Sequence, residues 1–324
     1  MDYNFLISVT VFAIFSVKGF GQCCSAGNPL GSNGINDGLP VKEWQFLTSY
    51  KHSLSKEYYH KDHQVEVPVV EKSYYDYQSL SAAYGILEWM NVSAEIGYFY
   101  NKTQILQPGL ANHEIRAHGL GDLGINIRFL PFKTLRRTSQ FIVSGGVRIP
   151  VGEFSEQIDG VTVPVSLQPS SGALKINASL YYSIQTSNRK LLVNSFALYE
   201  YSNTIEEGYF IYKYGDFLQL SSGLQYNPNK HFAFLLNLKY EWRGQDQREN
   251  DEIVESSGSH IILINPQITY NFKRGWSIMI LSDLPVYKYV NGEQLTNSYA
   301  VQLSLYKRIN INTVKSKSLI ETTN

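Results

Sequence analysis

Net charge is missing from this chain, and charge of either sign is sparse. The 28 Lys and Arg are balanced by 28 Asp and Glu, and charged residues make up 17% of the sequence. A molecule with no global field does not gather polyanions, so nucleic acid is set aside as a partner. Long hydrophobic runs are absent after Gly21, so any residence in a membrane must come from strands rather than helices. Cysteine is limited to the adjacent pair Cys23 and Cys24, and a two-cysteine metal site would need ligands from elsewhere. Catalytic signatures are missing too. There is no G-x-S-x-G elbow and no H-E-x-x-H, and no helical pattern follows the glycine clusters to make a phosphate loop.

Aromatic residues are abundant, with 24 Tyr and 16 Phe. These are β-formers with amphipathic rings, a mixture suited to a membrane barrel. At the N-terminus, Phe5 to Val17 is uninterruptedly apolar and is followed by Gly19, Phe20 and Gly21. This reads as a signal peptide over residues 1–22, cut after Gly21 or Gln22; a retained anchor is the alternative. The leading MDYN carries Asp2 and lacks the usual positive charge. Cys23 and Cys24 then stand near the new N-terminus, where pairing with each other or with a partner thiol, free thiols and lipidation are all open. Residues 23–40 form a Cys/Gly/Asn-rich segment and a candidate plug, and residues 310–324 form a polar tail.

Between them, residues 41–309 fall into segments of alternating polarity, the period of a strand with two different faces. In Phe232 to Trp242, one face carries Phe232, Phe234, Leu236, Leu238, Tyr240 and Trp242, and the other carries Ala233, Leu235, Asn237, Lys239 and Glu241. Strands are expected near 41–50, 74–86, 91–102, 114–130, 140–150, 172–186, 190–203, 215–227, 231–243, 258–272, 275–287 and 296–309. Short connections alternate with long polar ones at Lys51 to Ser73, Thr103 to His113, Val151 to Ser171, Thr204 to Tyr214, Gly244 to Ser257 and Lys288 to Leu295. Short periplasmic turns and long outer loops produce that alternation, whereas Greek-key crossovers do not. The expected fold is all-β, a transmembrane antiparallel up-and-down β-barrel of about twelve strands with both termini periplasmic. Glycines 119, 121, 124, 145 and 146 suit a wall that must curve.

Parity places Glu95, Asp122, Arg128, Arg148, Lys175, Lys239, Glu241, Arg243, Asp283 and Arg308 on the lumen side. Inward charges must pair or meet water, so they line a channel or form a network that plugs one. Both signs occur, which predicts no sharp ion selectivity. His52, His60, His63, His113 and His118, with His260, fall in or beside the outer loops, leaving His231 on the other side. Imidazoles gathered there are rim candidates for metal capture, although no metal or other cofactor is expected. A lipase on the barrel wall needs a nucleophile and base on one face, and the adjacent Ser259 and His260 point to opposite faces.

The strand G-L-G-D at Gly119 to Asp122, the strand end S-G-G-V-R-I-P-V-G at Ser144 to Gly152 and the hairpin L-P-V-Y-K-Y-V-N-G-E-Q-L at Leu284 to Leu295 together resemble the outer-membrane transporters of the meta-pathway phenol-degradation family. Those are distantly similar to hydrocarbon and fatty-acid uptake barrels. The likeness runs from about Tyr74 to Ile309, and departs where that family tends to have Pro-Thr-Gly or Pro-Ser-Gly and this chain has Pro150, Val151, Gly152. The segment with Cys23, Cys24, Gly27, Asn28 and Pro29 resembles an addition of Bacteroidetes-type members. The resemblance implies a barrel with a transport role and names no cargo.

The expected function is therefore a porin-like channel of a Gram-negative outer membrane, set among its lipids and passing small molecules, hydrophobic ones included. The alternative is a structural or surface-binding barrel with a closed lumen. No enzyme activity is expected.

Overall fold

The computed structural model describes residues 38–311, apart from 68, 109–113, 134–137, 155–156, 159–160 and 208–209. The expected signal peptide, Cys23 and Cys24 with the candidate plug as far as residue 37, and the tail beyond Ile311 lie outside the described residues.

Alternating polarity becomes extended chain in twelve elements. These are β1 (Glu43–Lys61), β2 (Val70–Leu87), β3 (Met90–Leu106), β4 (Glu114–Leu120), β5 (Leu123–Lys133), β6 (Ser139–Ile149), β7 (Lys175–Gln185), β8 (Leu191–Ser202), β9 (Phe217–Tyr226), β10 (Phe232–Arg243), β11 (Ser259–Asn271) and β12 (Trp276–Asn310). Each pairs antiparallel with its neighbour, and β12 closes the ring against β1. Element and span do not coincide at two places. β4 pairs the outer part of β3 and β5 its inner part, so together they make one stave. β12 has 35 residues, which as a straight strand would measure about 115 Å, several times a membrane crossing. It folds back on itself instead. Residues 277–290 pair with β11 and residues 290–310 with β1, Gly292 at the fold has φ +60, and Tyr306 Oη donates to Met279 Sδ at 3.4 Å between the arms. The chain is thus a closed up-and-down barrel of twelve spans.

Its outer wall is apolar. On β10, Phe232, Phe234, Leu236 and Leu238 are exposed while Ala233 and Lys239 are buried. A contiguous surface of this kind is intolerable in water and is the normal lipid-facing surface of a membrane barrel. Aromatic pairs mark its edges, with Trp44 on Phe46, Trp89 on Phe129 and Phe232 on Phe234 near the short turns, and Tyr98 with Tyr100 and His260 with Tyr289 toward the long loops.

At the end bearing the short turns, the interior closes on Leu39, Leu47, Ala83, Met279, Leu281 and Tyr306. Leu39 belongs to the segment preceding β1, and Asn91 holds it by both its amide and its carbonyl, at 2.9 and 3.1 Å. The carbonyl of Pro40 lies so close to Gly85 that a Cβ there would collide with it.

Three expectations are corrected. The first and last outer loops are shorter than their polarity suggested, because β1 continues through Lys51 to Lys61 and Lys288 to Leu295 is mostly strand around a tight turn. Lys51 and Lys288 carry charge inside the lumen, where pairing keeps it tolerable. The strand at 114–130 breaks at Gly121–Asp122, and the strand expected from 172 begins only at Lys175, because the residues before it turn inward.

Candidate functional site

The lumen is organised in three levels. At the end bearing the long loops, the chain leaving β6 turns into the barrel before β7 begins. Val163 and Leu167 pack on Ile115 and Ala117, the inward residues of β4. The break between β4 and β5 places Asp122 beneath this segment. Its carboxylate accepts from Ser170 Oγ at 2.7 Å, Ser171 N at 2.9 Å and Ser171 Oγ at 2.6 Å. Lys102 Nζ, over the Phe99 ring, donates to the Gln168 carbonyl at 2.8 Å. Charged groups make the stronger hydrogen bonds, so two buried charges of opposite sign tether this inward loop.

Above it, Ile205–Glu207, Phe210–Lys213 and Gln247–Arg248 form a small three-stranded sheet. Asp246 ties it down, accepting from Tyr212 Oη at 2.5 Å and from Gly215 N at 2.8 Å. Burial pushes the Asp246 carboxyl above its ordinary range despite these bonds, and burial also raises the Tyr214 phenol well above its usual value.

The second level is ionic. Arg148 Nε lies 3.1 Å from Glu200 Oε2, and Lys175 Nζ 3.8 Å from Glu200 Oε1. Beside them, Glu95, Arg128, Ser93, Ser144 and Asn177 line a small cavity of about 100 Å³. Farther round the wall, Asp283 receives Lys239 at 2.8 Å and Lys51 at 3.1 Å, Lys239 also meets Glu241 at 3.2 Å, and Asn265 Nδ2 donates to Asp283 at 3.0 Å. Arg243 covers the Phe217 ring.

The third level, toward the short turns, is a cavity of about 450 Å³. Gln45, Asn194, Gln225, Asn227, Asn237, Asn265, Gln267 and Asn271 line it, together with Tyr181, Phe196 and Tyr306 and the apolar Leu235, Phe272, Trp276 and Met279. Arg308 stands on its lining, and Lys239 reaches its inner end already paired.

The structure therefore brings the sequence-selected charges into several separate groups. Arg148 and Lys175 meet at Glu200, with Glu95 and Arg128 nearby; Lys239, Glu241 and Asp283 form one chain; Asp122, Arg243 and Arg308 act elsewhere. Lys51, Glu57, Lys102, Glu200 and Lys288 were missed. Glu200 shares the parity of its inward neighbours and was available to the same reasoning. Lys51 and Lys288 were hidden because polar residues near strand ends read as loop.

The histidines do not converge. His52 faces outward, with Nδ1 2.8 Å from Asp76 Oδ1, and Asp76 also accepts from Tyr50 Oη and Asn101 Nδ2. His60 stands opposite His63 at the tip of β1, His118 is exposed on β4, His260 meets Tyr240 Oη at 2.7 Å, and His113 lies outside the described residues. Among the described residues, no group of three His, Cys, Asp or Glu has metal-holding geometry.

The fold has counterparts among solved structures. An outer membrane channel from Pseudomonas putida F1 superposes with a TM-score of 0.70 at 12% identity, over 86% of this chain and 100% of that one. A mutant of the monoaromatic hydrocarbon channel TodX gives 0.49 at 9% identity, over 84% and 91% of the two chains. A FadL homologue from Pseudomonas aeruginosa gives 0.41 at 10% identity, over 83% and 90%. No curated protein sequence matches. The barrel is an outer-membrane one and shares the fold of a channel. The family model described as the MetA-pathway of phenol degradation matches residues 69–304, and the chain belongs to that family.

Proposed function

We propose that this barrel admits small molecules through the outer membrane along its lumen, with the tethered loop before β7 as the barrier at the outer mouth. One observation carries the reading. A loop drawn into the barrel by Asp122 and Lys102 stands above a cavity of about 450 Å³ whose lining reaches Asn227 and Asn271 at the short-turn end. A barrel with a purely structural role needs side-chain packing there rather than a cavity. The charges of the second level line the path, and since they pair with both signs present, selectivity between anions and cations is weak.

The segment before β1 acts as a plug at the periplasmic end. Burial of Leu39 between Leu47 and Tyr306 supports this, since it anchors the residues just before β1 inside that end of the barrel. The test is conductance of the purified protein in planar bilayers, with and without residues 23–37. Small steps that grow on deletion are expected. A stably inserted but silent barrel in both forms would favour the alternative, a closed barrel that presents its outer loops to a partner.

A further inference from the structure

We infer that the cavity toward the short turns is a binding site for a neutral, hydroxyl-rich ligand of the saccharide class. The inference rests on the reading of the lumen as a solute path, but it concerns equilibrium binding and is tested separately.

The lining is unusual in what it offers. Eight carboxamide side chains, from Gln45, Asn194, Gln225, Asn227, Asn237, Asn265, Gln267 and Asn271, stand around one space, with Ser221, Thr269 and Ser277 between them. A carboxamide both donates and accepts, as does a hydroxyl group, so the match is to vicinal diols rather than to an ion. The charges at the margin do not change this. Lys239 is engaged by Asp283 and Glu241, and Arg308 has interactions of its own.

The carboxamides are also tied to one another: Asn237 Nδ2 donates to Asn265 Oδ1 at 3.4 Å, and Asn265 Nδ2 donates in turn to Asp283 Oδ1 at 3.0 Å, which holds their amides in place on the wall. A hydrocarbon has no hydrogen-bonding group to offer such a wall.

The aromatic residues complete the fit. Tyr181 and Phe196 are register partners on β7 and β8, and Tyr306 lies on the returning arm of β12, about half-way round the ring. Rings on both sides of a cavity suit the C–H faces of a pyranose, whose rim carries the hydroxyls. A volume of about 450 Å³ falls within the range of small-molecule sites.

The test is isothermal titration of the full-length, detergent-solubilised barrel with cellobiose, glucuronate and toluene. Cellobiose is expected to bind, glucuronate at least tenfold more weakly because its carboxylate meets no uncommitted cation, and toluene not at all. Asn194→Leu and Asn237→Leu should each weaken cellobiose about three- to tenfold, with heat-modified mobility on gels confirming that both variants remain folded barrels. Absent cellobiose binding, tighter toluene binding, or cellobiose binding indifferent to both substitutions would overturn the inference. So would binding that emerges only when residues 23–37 are deleted, since the cavity would then be the seat of the chain's own N-terminal segment. Planar-bilayer conductance is read independently. Binding by a silent barrel removes the channel reading and leaves the site, and conductance without binding does the reverse.

Discussion

Lys51 Nζ and Asp283 Oδ2 lie 3.1 Å apart although 232 residues separate them in sequence, and the span carrying Gln302 runs between their strands. The pair reaches across the seam where the returning arm of β12 closes the barrel on β1. Asp283 also holds Lys239, and the side chains of both are under 10% exposed. Asp283→Asn therefore takes from Lys51 its carboxylate and leaves Lys239 with Glu241 alone, and a buried ion deprived of its partner destabilises by about 3–5 kcal/mol. Lys51→Met should cost less, because Lys239 and Asn265 still serve Asp283. Heat-modified gel mobility across a temperature series measures both, and equal losses would refute a network centred on Asp283.

Parity along β9 is tested by neighbours. Leu220 is exposed on the lipid side, whereas Ser221 lines the cavity inside. An arginine facing hydrocarbon costs about 2–4 kcal/mol near the bilayer midplane, and one facing a wet lumen costs far less. Leu220→Arg should therefore impair insertion into lipid vesicles while Ser221→Arg inserts with near-native yield. The opposite ranking would mean that the strand is rotated.

Much of this architecture was legible because a strand facing lipid on one side and a lumen on the other repeats every two residues. Phe232 to Arg243 shows it without interruption, and the expected and observed boundaries of β10 agree to within a residue. Legibility failed where that contrast fails. Lys51, His52 and Ser53 are polar on both faces of β1, since His52 shares its lipid-side position with Asp76 and Tyr50. Such a stretch reads as loop. The inward loop was invisible for a different reason. Nothing in Val163 to Ala173 tells, from local pattern, that Ser170 and Ser171 would meet Asp122, a contact spanning about fifty residues. Long-range tethers belong to the closed barrel, and even the break at Gly121–Asp122 that places this carboxylate is absent from the strand expected over 114–130. The gathering of carboxamides such as Asn194, Asn237 and Asn265 likewise emerges only once β8, β10 and β11 share a cavity.

The tether itself can be cut. Asp122→Ala removes the acceptor of three hydrogen bonds, each worth about 1.5–3 kcal/mol when a charge is involved, although they are not additive. The loop should then leave the mouth, so single-channel conductance is expected to rise at least twofold and cleavage by an externally added protease to appear between 163 and 173. Asp122→Asn keeps an acceptor and should fall between. Unchanged conductance in the alanine variant would show that this segment is not the barrier.

Docking of the outer sheet should depend on pH through Asp246. Burial holds its carboxyl above the ordinary carboxylate range, against the opposing pull of Tyr212 Oη and Gly215 N. A carboxyl whose pKa is higher folded than unfolded binds its proton more tightly in the folded state. Its contribution to stability is therefore fully present below the unfolded value and is lost as pH rises through the folded one. Hydrogen exchange at residues 244–258, corrected for the intrinsic pH dependence of exchange, should show protection declining from mildly acid toward neutral pH. In Asp246→Asn the amide oxygen can still accept from Tyr212 but does not ionise, so the profile should be flat. Protection that increases with pH in the native protein would reverse the sign and place the control of this sheet on another group.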